Sequence, residues 1–323
     1  MSEKSTGDAT MRAVLFFLAL APSLSVIHAH HPCHGRAARW RRTRCSSTMA
    51  VVSVHRDHAS TEASGPLLCE RRGAIAIVSI NDPPYNRMSL AFMDELERLV
   101  EVLQHDESVR AVVVTSAGAQ NFSVGMNLKE LPRGIEQKGS VDALFDQRLK
   151  VLSAIEHMGK PWVATLFGYC LGGGLELPLA CHFRLAAEEG AQIGLPELHL
   201  GTVPAWGGSA RLARRVGRDR AIDMILRAKT ISGPEALRIA LVNEVWPNTE
   251  LKARAIALAE ELAAMPRLAV KAMLGCLVGA ETKTLAESLQ DERRAVHETL
   301  NTPDQIEGVR AFLEKRKPLF NQA

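Results

Sequence analysis

The sequence has no long apolar run near its N-terminus, no paired-cysteine motif and few aromatic residues. The one early apolar stretch, residues 13–21, contains nine residues. A helix of that length cannot cross a hydrocarbon layer about 30 Å thick. We therefore expect no membrane-spanning segment.

The cysteines are scattered and form no Cys-x-x-Cys pair; they are Cys33, Cys45, Cys69, Cys170, Cys181 and Cys276. Zinc sites usually take their ligands in closely spaced pairs, and disulfide frameworks are typical of short secreted chains. This chain has 323 residues and 46% apolar content, which is enough to bury a large core. We predict reduced thiols and no metal site.

Positive charge is concentrated at the N-terminus. Residues 1–56 contain eight Lys and Arg but two acidic residues, whereas residues 57–323 contain 31 basic and 34 acidic residues. The net charge of +3 therefore says little about partners. RNA binding is the alternative interpretation of a second basic cluster, but the 15 aromatic residues form no base-stacking motif. We interpret that cluster as a solvated helix face; it comprises Arg211, Arg214, Arg215, Arg218 and Arg220.

Residues 1–64 form a leader that we predict to be largely disordered. An apolar stretch followed by an Arg-rich stretch without acidic residues is compatible with a secretory signal or an organelle transit peptide. Upstream sequence ahead of a start at Met49 is the third interpretation. All three stay open at this point.

Strands and helices alternate from residue 67 onwards. Residues 73–80, 111–115 and 161–167 are β-rich apolar runs. Ser89 precedes apolar residues at helical spacing, and residues 141–158 have the same period. This alternation predicts an α/β fold with buried parallel strands.

After residue 195 the pattern is helical. Helical periodicity covers residues 206–226, 233–240, 249–264, 266–279 and 303–316. We predict an α/β core over residues 65–260 and a C-terminal helical region over residues 261–323. Residues 134–140 (GIEQKGS) are expected to form a mobile insertion.

Two strand-to-helix junctions are candidates for a binding site. Residues 122–130 (FSVGMNLKE) follow the second strand, and residues 168–176 (GYCLGGGLE) follow the third. Ligands of open α/β sheets gather at the carboxyl ends of the strands, and backbone NH groups at a helix start bind phosphate or stabilise an oxyanion. The chain has neither dinucleotide-binding nor P-loop glycine spacing. Tight helix packing is the alternative explanation of the glycines.

Two carboxylates accompany these glycines. Glu176 follows Gly173 by three residues in an apolar helix, and Glu197 precedes a glycine-rich turn, residues 201–208 (GTVPAWGG). Burial and mutual repulsion separate the pKa values of such a pair, so that the two groups can divide acid and base roles. In the alternative interpretation, Glu176 is a helix-surface acid and Glu197 is the partner of a helix cap.

In these motifs the chain resembles the crotonase superfamily, the enoyl-CoA hydratase/isomerase family. The resemblance runs from about residue 68 to residue 320 and is carried by NFSVGMNLKE, GYCLGGGLELPLAC, IGLPELHLGTVPAWGGSARL, ISGPEALRIALVNEV and AFLEKRKPLF. It implies a spiral of ββα units with a C-terminal helical region, assembled as a homotrimer or homohexamer.

The resemblance also implies hydration of a trans-2-enoyl-CoA to a 3-hydroxyacyl-CoA. The thioester carbonyl would accept hydrogen bonds from the backbone NH groups of Met126 and Gly173. Glu176 and Glu197 would position and activate water. The family requires no metal or redox cofactor beyond the CoA of its acyl-CoA substrate. Double-bond isomerisation, or another acyl-CoA reaction on the same scaffold, is the alternative activity.

Contacts to CoA are implied for two groups of residues, one in the first oxyanion loop and one near the C-terminus. They are Val124, Asn127, Leu128, Lys129, Phe312 and Lys315. The last two would reach CoA on a neighbouring subunit. Dependence on CoA argues against secretion and for the cytoplasm, or for the mitochondrial matrix if the leader is a transit peptide.

Three positions depart from the family pattern. Phe167 stands where Asn is common, His182 where an acidic residue is usual, and Asn127 where Asp is common. We expect Phe167 and Asn127 to reshape the acyl pocket, so the resemblance leaves the identity of the acyl group open.

Overall fold

The computed structural model describes residues 65–322. The leader interpretations and the Met49 start lie outside the described residues. Within them, the strands are β1 (Leu67–Arg72), β2 (Ile75–Ile80), β3 (Ala111–Ser116), β4 (Trp162–Leu166), β5 (Tyr169–Leu171), β6 (Phe183–Ala187), β7 (Gln192–Gly194), β8 (Thr230–Ile231) and β9 (Glu244–Trp246).

The strands form two sheets. The larger has the order β1-β2-β3-β4-β6-β9 and the smaller the order β5-β7-β8. In the larger sheet only β1 runs antiparallel to its neighbour. The central strand β3 is buried along its whole length, with Val113 opposite Ile77 on one side and Val163 on the other. This confirms the prediction of a parallel strand that is buried on both faces.

The helices are α1 (Leu90–His105), α2 (Leu131–Lys138), α3 (Val141–Glu156), α4 (Gly173–Ala180), α5 (Gly208–Val216), α6 (Arg218–Leu226), α7 (Gly233–Arg238), α8 (Asn248–Ala264), α9 (Arg267–Gly279), α10 (Leu285–Thr299) and α11 (Pro303–Leu313). Single 3₁₀ turns occur at Leu128–Glu130 and Glu197–Leu200.

Two helices illustrate how the sequence sets the fold. Ser89 caps α1 as predicted, because its hydroxyl accepts a hydrogen bond from the Phe92 NH. Helix α8 covers the larger sheet and contacts β2, β3, β4, β6 and β9. It crosses residue 260, where we predicted the core to end; that domain boundary stays a prediction.

The structure corrects two expectations about helices. Residues 134–138 belong to α2, in which Gly134 is buried, and a Cβ there would lie 2.7 Å from the Leu90 Cδ2. The glycine therefore allows close packing and does not mark a loop. The predicted helix 206–226 is two helices, because Gly217 has a φ of +84°. Helix α10 lies within the predicted C-terminal helical region, although no separate helix was predicted over its residues; its apolar residues Leu285 and Leu289 are exposed.

The cysteines within residues 65–322 (Cys69, Cys170, Cys181 and Cys276) are all free thiols. In the same part of the chain, no single helix combines the length and hydropathy of a membrane span, although α8 and α9, which meet at a bend of 108°, do so together.

Candidate active site

A cavity of about 330 Å³ contains most of the residues implicated by the sequence motifs. The segments that line it precede α2, begin α4 and lead into α5. Six of the predicted site residues contribute to its wall: Val124, Met126, Leu128, Gly173, Glu176 and Glu197.

Glycines allow the two oxyanion-type loops to touch. Gly125 has a φ of +86°, and a Cβ on it would lie 2.9 Å from the Gly173 nitrogen. A Cβ on Gly174 would lie 2.2 Å from the Ser123 carbonyl oxygen. No other residue type fits either position without displacing backbone. Tight packing thus explains these glycines, and it also brings the two loops into one wall.

The wall carries backbone NH groups without partners. Gly173 is the first residue of α4, whose first-turn NH groups have no acceptor within the helix. Neither the Gly173 NH nor the Met126 NH donates a hydrogen bond to another group within residues 65–322. Both groups are therefore available to a ligand oxygen.

Glu176 is a buried carboxylate fixed by backbone. It is 2% exposed, and its Oε1 accepts hydrogen bonds from the NH groups of Trp206 at 2.7 Å and Gly208 at 2.8 Å. Burial raises its pKa to about 7, and the nearby charge of Glu197 acts in the same direction. The interpretation of Glu176 as a helix-surface acid is therefore wrong.

Glu197 opens the 3₁₀ turn Glu197–Leu200. A Cβ on Gly172 would lie 3.0 Å from its Oε1, which places the carboxylate against the start of α4. Its Oε2 is buried and has no hydrogen-bond partner within the described residues. Burial raises the pKa of Glu197 as well.

A buried ion pair contacts the turn that carries Trp206. Arg211 Nη2 lies 2.9 Å from Glu156 Oε2, and Arg211 Nη1 donates to the Trp206 carbonyl at 2.8 Å. The interpretation of the basic cluster as a solvated face is thus wrong for Arg211. Arg214 and Arg215 lie within 3.5 Å of the Glu281 carboxylate, so their charges are also paired.

Four predicted CoA contacts do not line the cavity. Asn127 donates its backbone NH to the Met88 carbonyl, and Lys129 is exposed. Phe312, which is 50% exposed, and Lys315 lie on the surface near the C-terminus. Their contact with CoA stays a prediction.

The residues that depart from the family pattern lie in different surroundings. Phe167 packs edge-on against Phe122 and, contrary to expectation, does not line the cavity. His182 accepts a hydrogen bond from the Trp162 NH through Nδ1, and burial lowers its pKa to about 4. Within residues 65–322, no three His, Cys, Asp or Glu side chains are arranged to hold a metal ion.

Sequence reasoning missed several apolar side chains of the cavity wall, among them Leu131, Phe145 and Trp206. Trp206 lies within a quoted motif, where a large aromatic residue among small ones was the available signal. Leu131 and Phe145 come from α2 and α3, and no local pattern distinguishes them from other apolar helix residues.

Residues 70–323 match the family model described as enoyl-CoA hydratase/isomerase. The chain is 36% identical over 249 residues to a probable enoyl-CoA hydratase of Bacillus subtilis (strain 168), covering 76% of this chain and 95% of that protein. A mitochondrial enoyl-CoA hydratase of Pongo abelii is 32% identical, covering 79% of this chain and 87% of that protein.

Solved structures agree with these sequence matches. The crystal structure of an enoyl-CoA hydratase from Bacillus anthracis matches with a TM-score of 0.74 and 31% identity, covering 80% of this chain and 100% of that one. The predicted crotonase-like α/β fold is thereby confirmed. Since the family model spans most of the sequence and the relatives are matched along nearly their whole length, the chain belongs to the enoyl-CoA hydratase/isomerase family.

Proposed function

We propose that this protein is an acyl-CoA-binding lyase that adds water across the double bond of a trans-2-enoyl-CoA and releases a 3-hydroxyacyl-CoA. The observation that carries the proposal is a cavity that holds the buried carboxylate of Glu176 and the half-buried Glu197, together with two backbone NH groups that have no partner within residues 65–322. The names of the relatives support the same activity.

In the proposed mechanism, the backbone NH groups of Met126 and Gly173 bind the thioester oxygen. Negative charge develops on this oxygen as water adds to Cβ. Fixed donors in a site that excludes bulk water stabilise such charge by several kcal/mol. The donors need no rearrangement during the reaction, because both belong to the main chain.

The carboxylates transfer the protons. One carboxylate takes a proton from the attacking water while the oxygen of that water bonds to Cβ. The other carboxyl group, which is protonated, delivers its proton to Cα. This division requires one proton on the pair. Burial raises both pKa values and the two charges repel each other, which favours the singly protonated pair near neutral pH.

Glu197→Gln tests this function. We expect hydration of crotonyl-CoA to fall by about 10²–10⁴-fold, because the amide can neither accept nor deliver the proton, while a saturated acyl-CoA still binds. The matched control is Glu101→Gln, an exposed position of α1. Near-normal hydration by the Glu197 variant would contradict the mechanism, and preferential consumption of a 3-enoyl-CoA by the wild type would indicate an isomerase.

The assembly belongs to the same proposal. Apolar side chains of α10 and α11, among them Leu285, Val296 and Leu313, are exposed in the single chain. We propose that they pack against other copies in a homotrimer or homohexamer, with Phe312 and Lys315 reaching CoA on a neighbouring subunit. Sedimentation analysis should give the mass of three or six chains, and Leu289→Lys should lower it. Cytoplasm or mitochondrial matrix is the proposed location.

A further inference from the structure

Trp206 is held firmly at the inner wall of the cavity. Its backbone NH donates to Glu176, and its carbonyl accepts from Arg211. The indole is 3% exposed, and a Cβ on Gly173 would lie 2.5 Å from its Cζ3. The ring therefore lies directly against the glycine whose NH is proposed to bind the thioester oxygen.

An incompletely paired arginine lies over this ring. Arg148 of α3 is 0% exposed, and its Cζ is 5.8 Å from the centroid of Trp206. Its Nη1 donates to the Leu144 carbonyl and to Gln147, but its Nε and Nη2 have no partner within residues 65–322. The face of an aromatic ring compensates a buried cation only in part, and an unpaired buried charge is costly.

The cavity ends before this arginine. Phe145, three residues earlier on the same helix, lines the cavity together with Trp206, whereas Arg148 does not. The guanidinium therefore lies over the Trp206 ring but outside the cavity wall. Among the described residues Arg148 forms no salt bridge; burial lowers its pKa, and the charge of Asp94, a smaller effect, raises it.

The size of the cavity limits the acyl group. Its 330 Å³ is near the lower end of the range for ligand pockets, about 300–1,000 Å³. The carboxylates share this wall with the indole of Trp206, which is its largest side chain. A cavity of this size favours a short acyl group.

Resting on the hydratase function above, we propose that Trp206 is the end wall of the acyl pocket and restricts the enzyme to short-chain enoyl-CoA substrates. Arg148 lies beyond this wall, where its guanidinium binds no ligand in the wild type. Once the indole is removed, the lengthened pocket accepts longer acyl groups, and it prefers those that end in a carboxylate, because the Arg148 guanidinium then gains an ionic partner.

The test compares the wild type with Trp206→Ala and with Trp206→Ala/Arg148→Met. Each enzyme is given trans-2-enoyl-CoA thioesters of increasing length that end either in a methyl group or in a carboxylate. Trp206→Ala preserves both backbone hydrogen bonds of residue 206. We expect it to raise kcat/KM for a long substrate relative to crotonyl-CoA by at least about tenfold, with the carboxylate-ended substrate preferred. The double variant should still accept the longer acyl groups, but it should prefer the methyl-ended substrate to the carboxylate-ended one.

Trp246→Ala is the matched control. Its indole also contacts an arginine, Arg254 at 3.9 Å, but it does not line the cavity. This variant should keep the wild-type order of chain lengths. Trp206→Phe, which leaves a smaller ring over Arg148, should give an intermediate shift and covers the case in which Trp206→Ala fails to fold.

Two different results separate the proposals. An unchanged chain-length order in both Trp206 variants, alongside an active wild type, would overturn the role of Trp206 and leave the hydratase function intact. If the wild type hydrates no enoyl-CoA, the function fails instead. In that case the role of Trp206 as the end wall is tested by calorimetric binding of saturated acyl-CoA thioesters. If the longest acyl chain that binds is the same for the wild type and Trp206→Phe, that role is overturned.

Discussion

Two sets of charged side chains lie at the turn that contains Trp206, and they differ in pairing. Glu156 and Arg211 form an ion pair that is closed by further hydrogen bonds. In the cavity, Glu176 and Glu197 are both acidic and repel each other when both are ionised, and one oxygen of Glu197 has no partner in the described part of the chain.

This difference in pairing distinguishes charged groups that stabilise the fold from charged groups of the candidate active site. A buried charge is tolerated when its partner is supplied by the protein, and it is costly when it is not. The cavity keeps its unpaired groups because a substrate and a water molecule are expected to complete them. The same Glu→Gln substitution should therefore have opposite effects on stability in the two sets.

Glu156→Gln should give the largest change. It leaves the Arg211 guanidinium buried without a counter-charge and should lower the free energy of unfolding by about 3–5 kcal/mol. Denaturant unfolding at neutral pH measures this loss. A loss below 1 kcal/mol would mean that the pair is no more than a surface-like contact.

Gly173→Ala should remove activity with a smaller effect on folding. The new Cβ would lie 2.5 Å from the Trp206 ring, so the start of α4 must move and the proposed donor with it. We expect kcat/KM to fall by about 10²–10³-fold. Gly275→Ala is the control, because nothing lies within 4 Å of a Cβ there. Unchanged turnover in Gly173→Ala would contradict the proposed donor.

Glu176→Gln should stabilise the protein at alkaline pH. The raised pKa means that the folded chain binds the Glu176 proton more tightly than the unfolded chain does, so wild-type stability decreases as pH rises from about 4.5 to 7. The amide does not titrate. The variant should be more stable than the wild type at pH 8 by at most about 3 kcal/mol, with no difference near pH 4. Thermal unfolding across pH tests this, and a constant difference would contradict it.

Glu95→Gln should change the free energy of unfolding least, and it is the exposed-pair reference for Glu156→Gln. Its partner Arg98 is three residues along the exposed face of α1, and both side chains are well solvated. The expected loss in the free energy of unfolding is below about 1 kcal/mol. A loss as large as that of Glu156→Gln would remove the distinction between buried and exposed pairs.

Local pattern was sufficient for the parts of the fold that depend on neighbours in sequence. The apolar run of β3, the Ser89 cap and the Gly172–Gly174 loop were all predicted from their own residues. Glu176 and Glu197 were singled out by their glycine-rich surroundings. In each case the signal and the structural cause lie within a few residues of each other.

Contacts between distant segments were not predictable in this way. Arg148 and Arg211 both lie in helices where an arginine normally faces water, and only packing against the turn at Trp206 buries them. Gly134 was misread as a loop residue, because its contact with Leu90 crosses more than forty positions of sequence. Leu131 and Phe145 of the cavity wall escaped prediction for the same reason.

The proposed thioester-binding donors at residues 126 and 173 are main-chain groups, and this has a consequence for how the site is inherited. Substitution at residue 126 changes the lining of the cavity but not the donor, so a methionine is acceptable there. The glycines at 125 and 174, which only shape the path of the chain, are under stricter constraint than the residue that makes the contact. Descendants of such a protein can therefore alter acyl preference and proton-transfer groups independently while the oxygen-binding geometry persists.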